Sequence, residues 1–242
     1  AVFMGMHIFL FADSLGKVDK SSLSQETLME LFIQGIENKH KICGYEENRK
    51  PFQKWAELTF NQSGQLDSFD WFQLGLTGSL SFAWLPSTLR LMSVYENTLR
   101  GTVPLHEFHH GLIYVSLAYN RFSGTLNLEN LPHTLTKLFL EINRFHGTVS
   151  FSSLPRGMKE LSLYRNTMLY GQVDLTGLPD CMESLNVSYT GFGGKTDFTK
   201  LPKSLRYLNV MFTSLSGTID GNVWEEAGKE CYVKNSEVKK VK

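Results

Sequence analysis

Residues 131–153 read LPHTLTKLFLEINRFHGTVSFSS, and this stretch decides the fold because its landmarks return along the chain at a fixed spacing. The same phase recurs every 23 or 24 residues, at Leu85–Pro86, Phe108, Leu131–Pro132, Leu154–Pro155, Leu178–Pro179 and Leu201–Pro202. A weaker copy starts at residue 62, so seven units cover residues 62–220. Self-similarity at such a period predicts a solenoid of stacked structural repeats.

Each landmark of the unit has a physical role. The alternating pair Leu138 and Leu140 predicts a short strand whose leucines point into a continuous core. An asparagine follows three residues later, at Asn143, where its amide can bond to backbone groups of neighbouring coils. One glycine phase, represented by Gly147, is filled in all seven units. This constancy predicts a positive φ angle or a backbone too crowded for a Cβ atom.

Written as a pattern, the unit is LPxxLxxLxLxxNxFxGTVxLxx, and its LxxLxLxxN core resembles the leucine-rich repeat signature. The G-T-[VIL] extension is most similar to the plant-type subclass of receptor ectodomains and inhibitor proteins. The resemblance implies a mostly β, α/β solenoid: a right-handed coil with a parallel concave sheet and an N-terminal helical cap. The alternation after each repeat glycine further predicts a second, shorter run of strands.

The flanks predict caps on one continuous domain. Residues 1–61 are interpreted as an N-terminal extension and cap, residues 62–220 as the seven repeats, and residues 221–242 as a C-terminal cap and tail. Residues 21–36 have the apolar periodicity of an amphipathic helix. The stretch from Trp55 to Gly64 resembles the N-terminal cap of plant-type repeat proteins, but Phe60 stands where those proteins have a cysteine.

Composition restricts the function and the location. The chain has 24 basic and 24 acidic residues, so it lacks the positive excess expected of a nucleic-acid-binding protein. The apolar run at residues 2–12 is too short to span a membrane. Three widely spaced cysteines do not form a disulfide framework. Together with the cysteine-less cap, they favour an intracellular, cytoplasmic protein, with a secreted or surface-exposed one as the alternative.

One segment matches a catalytic motif. Residues 106–110, HEFHH, fit the H-E-x-x-H pattern of zinc proteases, which requires both histidines on one face of a helix. The repeat instead places them on a turn between two units, and Phe108 takes the phase of a core leucine. We therefore predict no enzyme, no catalytic or metal-ligating residue and no cofactor, and keep a metal-dependent hydrolase as a remote alternative.

The informative residues are those that the repeat does not need. Four positions in each unit flank the inward leucines and face the concave side or its rim, and nine of these 28 positions are aromatic, against 12% of the whole chain. Aromatic side chains are enriched at protein interfaces. The predicted partner-binding residues are these nine and four charged neighbours: Phe72, Tyr95, Tyr114, Tyr119, Phe139, Tyr164, Tyr189, Tyr207, Phe212, Lys137, Glu141, Glu160 and Arg165.

The sequence thus predicts a non-enzymatic module that binds a protein or peptide on its aromatic concave face, with no nucleic acid and no membrane span. The alternative is an architectural subunit that is locked into a larger assembly through its ends and convex side. The enrichment of aromatic residues also has another explanation, since they can stack between neighbouring strands for stability. The oligomeric state and the identity of the partner stay open.

Overall fold

A computed structural model describes residues 19–241. Its helices are α1 (Gln25–Phe32), α2 (His40–Cys43) and α3 (Gly221–Glu226). In chain order its strands are β1 (Leu58–Phe60), β2 (Leu66–Asp70), β3 (Thr77–Ser79), β4 (Leu91–Ser93), β5 (Thr98–Thr102), β6 (Tyr114–Ser116), β7 (Arg121–Gly124), β8 (Lys137–Phe139), β9 (Arg144–Gly147), β10 (Glu160–Ser162), β11 (Met168–Gln172), β12 (Ser184–Asn186), β13 (Gly191–Lys195), β14 (Tyr207–Asn209), β15 (Ser214–Asp220), β16 (Glu230–Tyr232) and β17 (Glu237–Val241).

The strands form two sheets along the coil. The concave sheet has the order β1-β2-β4-β6-β8-β10-β12-β14-β16, and the second sheet has the order β3-β5-β7-β9-β11-β13-β15-β17. All neighbours are parallel except β1 and β2, which form an antiparallel pair at the N-terminal edge. Ser68 lies opposite Leu91 in the concave sheet, as the 23-residue period predicts. The structure therefore confirms the solenoid with its parallel concave sheet.

The two leucine positions of each unit build the core. Leu138 and Leu140 have no exposed surface, and the equivalent residues of the other units are also buried. They belong to one apolar cluster that runs from α1 to β17. Because each coil buries its leucines only against its neighbours, stability is shared along the stack.

A ladder of buried asparagines connects successive coils. Asn120 accepts a hydrogen bond at Oδ1 from the backbone N–H of Leu99 in the preceding coil (3.0 Å). Its Nδ2 group donates to the carbonyl oxygen of Val94 in that coil (2.8 Å) and to that of Leu117 in its own (3.2 Å). Equivalent bonds are made by Asn97, Asn143 and Asn166. The predicted ladder is present.

The second run of strands lies earlier in the repeat than the sequence predicts. The strands end at the repeat glycine or one to three residues beyond it, as β7 does at Gly124, whereas the alternation of the G-T-V stretch places them after it. Gly124 has a φ of 97°, a conformation that favours glycine and turns the chain out of the strand. The following residues lead into short 3-10 helices such as Leu128–Asn130 on the convex side.

The N-terminal end is closed by packing. Helix α1 begins after Ser24, whose side chain accepts a hydrogen bond from the backbone N–H of Thr27, an arrangement that stabilises helix starts. The helix is shorter than the predicted 21–36 segment. It buries Phe32 against Phe69 (5.9 Å between ring centroids). The rings of Phe52 and Phe60 lie 5.4 Å apart edge to face, so an aromatic contact occupies the position where the resemblance has a cysteine.

The C-terminal segment extends both sheets. Helix α3 starts after Asp220, whose carboxylate accepts hydrogen bonds from two backbone N–H groups. Strand β16 pairs with β14, and β17 pairs with β15 over five residues. None of the helices within residues 19–241 has the length and apolar character of a membrane span. The apolar run at residues 2–12 lies outside the described residues.

Candidate functional site

The concave sheet presents the predicted side chains on one surface. The inward positions of each strand carry the core leucines, so the positions between them face outward. All thirteen predicted residues lie on this surface, which we call the concave face. They come from β6, β8, β10 and β14 and from the segments that follow the concave strands β2, β4, β6, β8, β10, β12 and β14.

A row of residues with left-handed backbone forms the rim of the concave face. Their φ angles lie between 51° and 57°, and they are Gln73, Glu96, Tyr119, Ile142, Arg165, Tyr189 and Phe212. Residues with a Cβ atom enter this region at an energetic cost. The turn ends each strand, and the residue after it is the buried asparagine or threonine in most coils, such as Asn120 after Tyr119. The rim side chains are thereby held at the edge of the face.

Two groups of rings lie on the N-terminal half of the concave face. Phe72 and Tyr95 are 5.4 Å apart, and Tyr95 and Tyr119 are 5.0 Å apart, so three coils contribute to one row. Tyr114 and Phe139 form a separate pair with centroids 5.6 Å apart. Burial raises the pKa of both the Tyr95 and the Tyr114 hydroxyls, and the carboxylate of Glu141 adds to both shifts. Both groups therefore lie within electrostatic reach of Glu141.

A third group lies on the C-terminal half. Tyr164 meets Tyr189 edge to face at 5.6 Å, and Tyr189 stacks on Phe212 at 4.2 Å. The guanidinium of Arg165 is 6.0 Å from the Tyr164 ring and 5.9 Å from the Tyr189 ring, within the range of a cation–π contact. The ring contact of Tyr164 is thus with the C-terminal rings.

The charged residues of the concave face differ in whether they have a partner of opposite charge. Lys137 and Glu160 form an ion pair with a distance of 2.6 Å between Nζ and Oε1, and this bond raises the pKa of the lysine. Glu141 is mostly buried, and burial raises the pKa of its carboxyl above the usual range. Its Oε2 atom is covered and accepts no hydrogen bond from the described residues.

Sequence reasoning missed the last ring on the concave face. Tyr232 follows Asn209 by 23 residues, lies opposite it in the sheet, and places its ring 5.7 Å from that of Tyr207. Extending the repeat period by one unit finds this residue. The leucine pattern does not reveal Tyr232, because Cys231 stands at the inward position where a leucine is expected.

The HEFHH segment does not form the geometry of a zinc protease. Its first two residues end a three-residue 3-10 helix, Leu105–Glu107. The Nδ1 atom of His109 accepts a hydrogen bond from the backbone N–H of Gly111, and the His110 ring packs on that of His133 at 4.9 Å. A zinc site of this type needs two histidines one helical turn apart on one face. Within residues 19–241, no cluster of three or more His, Cys, Asp or Glu residues could hold a metal ion.

Comparison with known proteins shows the fold but no sequence family. No protein-family model matches the chain, and none of the curated proteins does. Among solved structures, the chain is similar to the leucine-rich repeat ectodomain of the Arabidopsis thaliana membrane receptor kinase GASSHO1/SCHENGEN3 in complex with CASPARIAN STRIP INTEGRITY FACTOR 2. The TM-score is 0.68 and the identity 18%, over 89% of this chain and 30% of the ectodomain.

Two further structures show how widely the fold is used. The ectodomain of the Arabidopsis receptor kinase HAESA, in complex with an IDA peptide hormone that carries an N-terminal extension, is also similar. It matches with a TM-score of 0.62 and 17% identity, over 88% of this chain and 37% of that one. A plant ice-binding protein matches with a TM-score of 0.52 and 16% identity, over 88% and 86%. The chain spans about a third of the two receptor ectodomains.

These neighbours define the class of the fold, which is that of leucine-rich repeat proteins. They also show that the expectation of an intracellular, cytoplasmic protein is wrong, because the matched receptor chains are ectodomains and point to a secreted or surface location. That expectation depended largely on the missing cap cysteine. The Phe52–Phe60 contact closes the cap by packing, so the missing cysteine carries no information about the compartment.

Proposed function

We propose that this chain is a non-enzymatic recognition module that binds a protein or an extended peptide on its concave face, at the cell surface or outside the cell. The observation that carries the proposal is the set of partly exposed rings on that face. Tyr119, Tyr189 and Phe212 each expose between 37% and 38% of their surface. Large apolar side chains that stay exposed along one continuous surface are typical of an interaction site.

The arrangement has the anatomy of a protein interface. Tyrosine provides a large, rigid contact area together with a hydroxyl group that can bond to a partner. The rings stand beside charges of both signs, such as the Lys137–Glu160 pair, as expected where an apolar centre meets a polar rim. Two of the similar ectodomains are complexes with a peptide hormone or with an integrity factor. Their fold supports the proposal, although a fold alone does not define a ligand.

The test separates binding from stability. Tyr119→Ala and Phe139→Ala should each weaken binding by about 2 kcal/mol or more, roughly 30-fold, if they are central anchors. Tyr170→Ala is a matched control, because Tyr170 is a 59% exposed tyrosine on the second sheet. Each tagged variant would capture partners from the extracellular fraction of the native source, and captured proteins would be quantified by mass spectrometry.

Melting curves of all three variants must show folded protein. A partner retained by Tyr170→Ala and lost from both concave variants supports the proposal. Equal capture by all variants would contradict it. In that case the aromatic groups act only in stability, and the architectural alternative becomes the better explanation.

A further inference from the structure

We propose that the partner segment presents an arginine or lysine side chain to Glu141, so that the chain recognises a basic position within an extended peptide. This inference rests on the proposed function and specifies its ligand chemistry. It starts from an unusual carboxylate: Glu141 lies in the middle of the concave face, and its covered Oε2 atom accepts no hydrogen bond from the described residues. Burying a carboxylate oxygen without a partner is unfavourable.

The cations of the chain near Glu141 are engaged elsewhere. Lys137, four residues before Glu141, forms an ion pair with Glu160 in which Nζ and Oε1 are 2.6 Å apart. The Arg165 guanidinium lies over the rings of Tyr164 and Tyr189. Burial raises the pKa of Glu141 and outweighs hydrogen bonds from its own backbone N–H and from the Ser162 side chain, which favour the charged form. The site therefore has acceptor capacity that an incoming donor can satisfy.

The surroundings favour a cation over a neutral donor. The negative charges of Glu96 and Glu141 help to raise the pKa of Tyr95, and those of Asp70 and Glu141 help to raise the pKa of Tyr114. The faces of tyrosine and phenylalanine rings attract guanidinium and ammonium groups. Negative charge beside the Tyr95–Tyr119 and Tyr114–Phe139 ring pairs thus combines both kinds of attraction.

The shape of the face allows a long side chain to approach. Glu141 is partly exposed as a residue, although its Oε2 atom is covered. Tyr119, on the rim, is 37% exposed. Rotamer changes of such side chains are common when interfaces form, so the covered oxygen becomes reachable by rotation of a side chain.

The experiment is a selection of random twelve-residue peptides displayed on phage, using the full chain as bait. We expect enriched peptides to share one Arg or Lys position. Glu141→Gln should weaken a selected peptide at least tenfold in titration calorimetry. Glu96→Gln is the matched control, because it removes a solvent-exposed carboxylate from the rim of the same face, and it should change the affinity less than twofold. Replacing the basic residue of the peptide by citrulline or norleucine should weaken binding to the wild type tenfold and to Glu141→Gln hardly at all.

The peptide substitution leaves the protein unchanged, so the result does not depend on the folding of a variant. Enriched peptides without a common basic position, or with equal affinity for Glu141→Gln, would overturn the inference and leave the proposed function in place. A wild-type selection that enriches no peptide would also overturn it, since a short basic segment is then not recognised. Capture by the concave variants described above tests the proposed function separately.

Discussion

The N-terminal and C-terminal coils of this solenoid are joined by different side chains. In four consecutive units a buried asparagine bonds to two backbone groups of the preceding coil, as Asn143 does with Phe122 and Leu117. In the next two units the position is a threonine. The hydroxyl groups of Thr190 and Thr213 each donate to a carbonyl of their own coil, at 2.7 Å in both cases.

The difference changes what holds neighbouring coils together. An asparagine coil adds two buried side-chain bonds to the preceding coil at the ladder position. A threonine coil lacks both and is joined by packing, the strand ladders and bonds such as that from Ser204 Oγ to the carbonyl of Met182 (2.6 Å). The stability of a repeat protein is a sum of local terms, so we expect the C-terminal coils to open at a lower free energy than the central ones. Local opening of this kind can be followed by amide hydrogen exchange.

The largest expected effect comes from breaking the asparagine ladder. Asn120→Ala removes the side-chain acceptor of the Leu99 N–H, whereas the carbonyl of Val94 keeps a second bond from Asn97 Nδ2. A buried group without a partner costs about 1–3 kcal/mol, and the substitution also leaves space beside the backbone that the side chain filled. We expect a loss of about 3 kcal/mol in the free energy of unfolding, measured by urea denaturation. A loss below about 1 kcal/mol would show that leucine packing, and not the ladder, joins the central coils.

The threonine coils provide the next test. Thr190→Val keeps the shape of the side chain and removes one hydrogen bond within a coil, so we expect a loss of about 1 kcal/mol. Thr213→Val is the parallel case at the next coil. Hydrogen exchange of β12 and β14 should change little, because neither hydroxyl bonds to the preceding coil. A loss equal to that of Asn120→Ala would remove the distinction between the two regions.

The sequence predicts the regular features because they repeat. Spacing alone places the inward leucines, the asparagine ladder, the repeat glycines and the concave face, since each recurs in phase. The same spacing shows that threonine replaces the ladder asparagine at positions 190 and 213. The period misplaces the second sheet, because most of its strands begin three residues before the repeat glycine and end at it or shortly beyond. Apolar alternation after the glycine does not report that position.

The concave face is predictable as a set of residues but not as a set of contacts. The four positions that flank the inward leucines in each unit include all thirteen residues. The contact of Tyr164 with Tyr189 depends on side-chain rotamers, which the sequence does not specify. The left-handed backbone of the rim could not be predicted from the sequence either. Ile142 is a β-branched residue with a φ of 52°, and no propensity rule places isoleucine in that conformation. The unpartnered oxygen of Glu141 is visible only once its neighbours are placed.

The rim gives a third, smaller test within the asparagine coils. Ile142→Asn should raise the free energy of unfolding by about 0.5–1 kcal/mol, because a left-handed backbone costs residues with a Cβ about 1–2 kcal/mol and asparagine tolerates it better. The lost apolar contact of a half-buried isoleucine offsets part of this gain. Glu96→Asn, at the same rim position of another asparagine coil, replaces an unbranched residue and should change stability less. Thermal denaturation of both variants measures the difference, and a lower melting temperature for Ile142→Asn would contradict it.

The smallest effect is a pH dependence that originates from Glu141. Burial raises the pKa of this carboxyl in the folded chain, so between about pH 4.3, the ordinary glutamate value, and that raised pKa the native state binds more protons than the unfolded state. Stability from this group is then lost as the pH rises through the window. Glu141→Gln lacks this titration, so its stability relative to the wild type should increase from pH 4 to pH 7. Urea denaturation at several pH values measures this difference, and a constant difference would show that the carboxylate is solvated in the free protein.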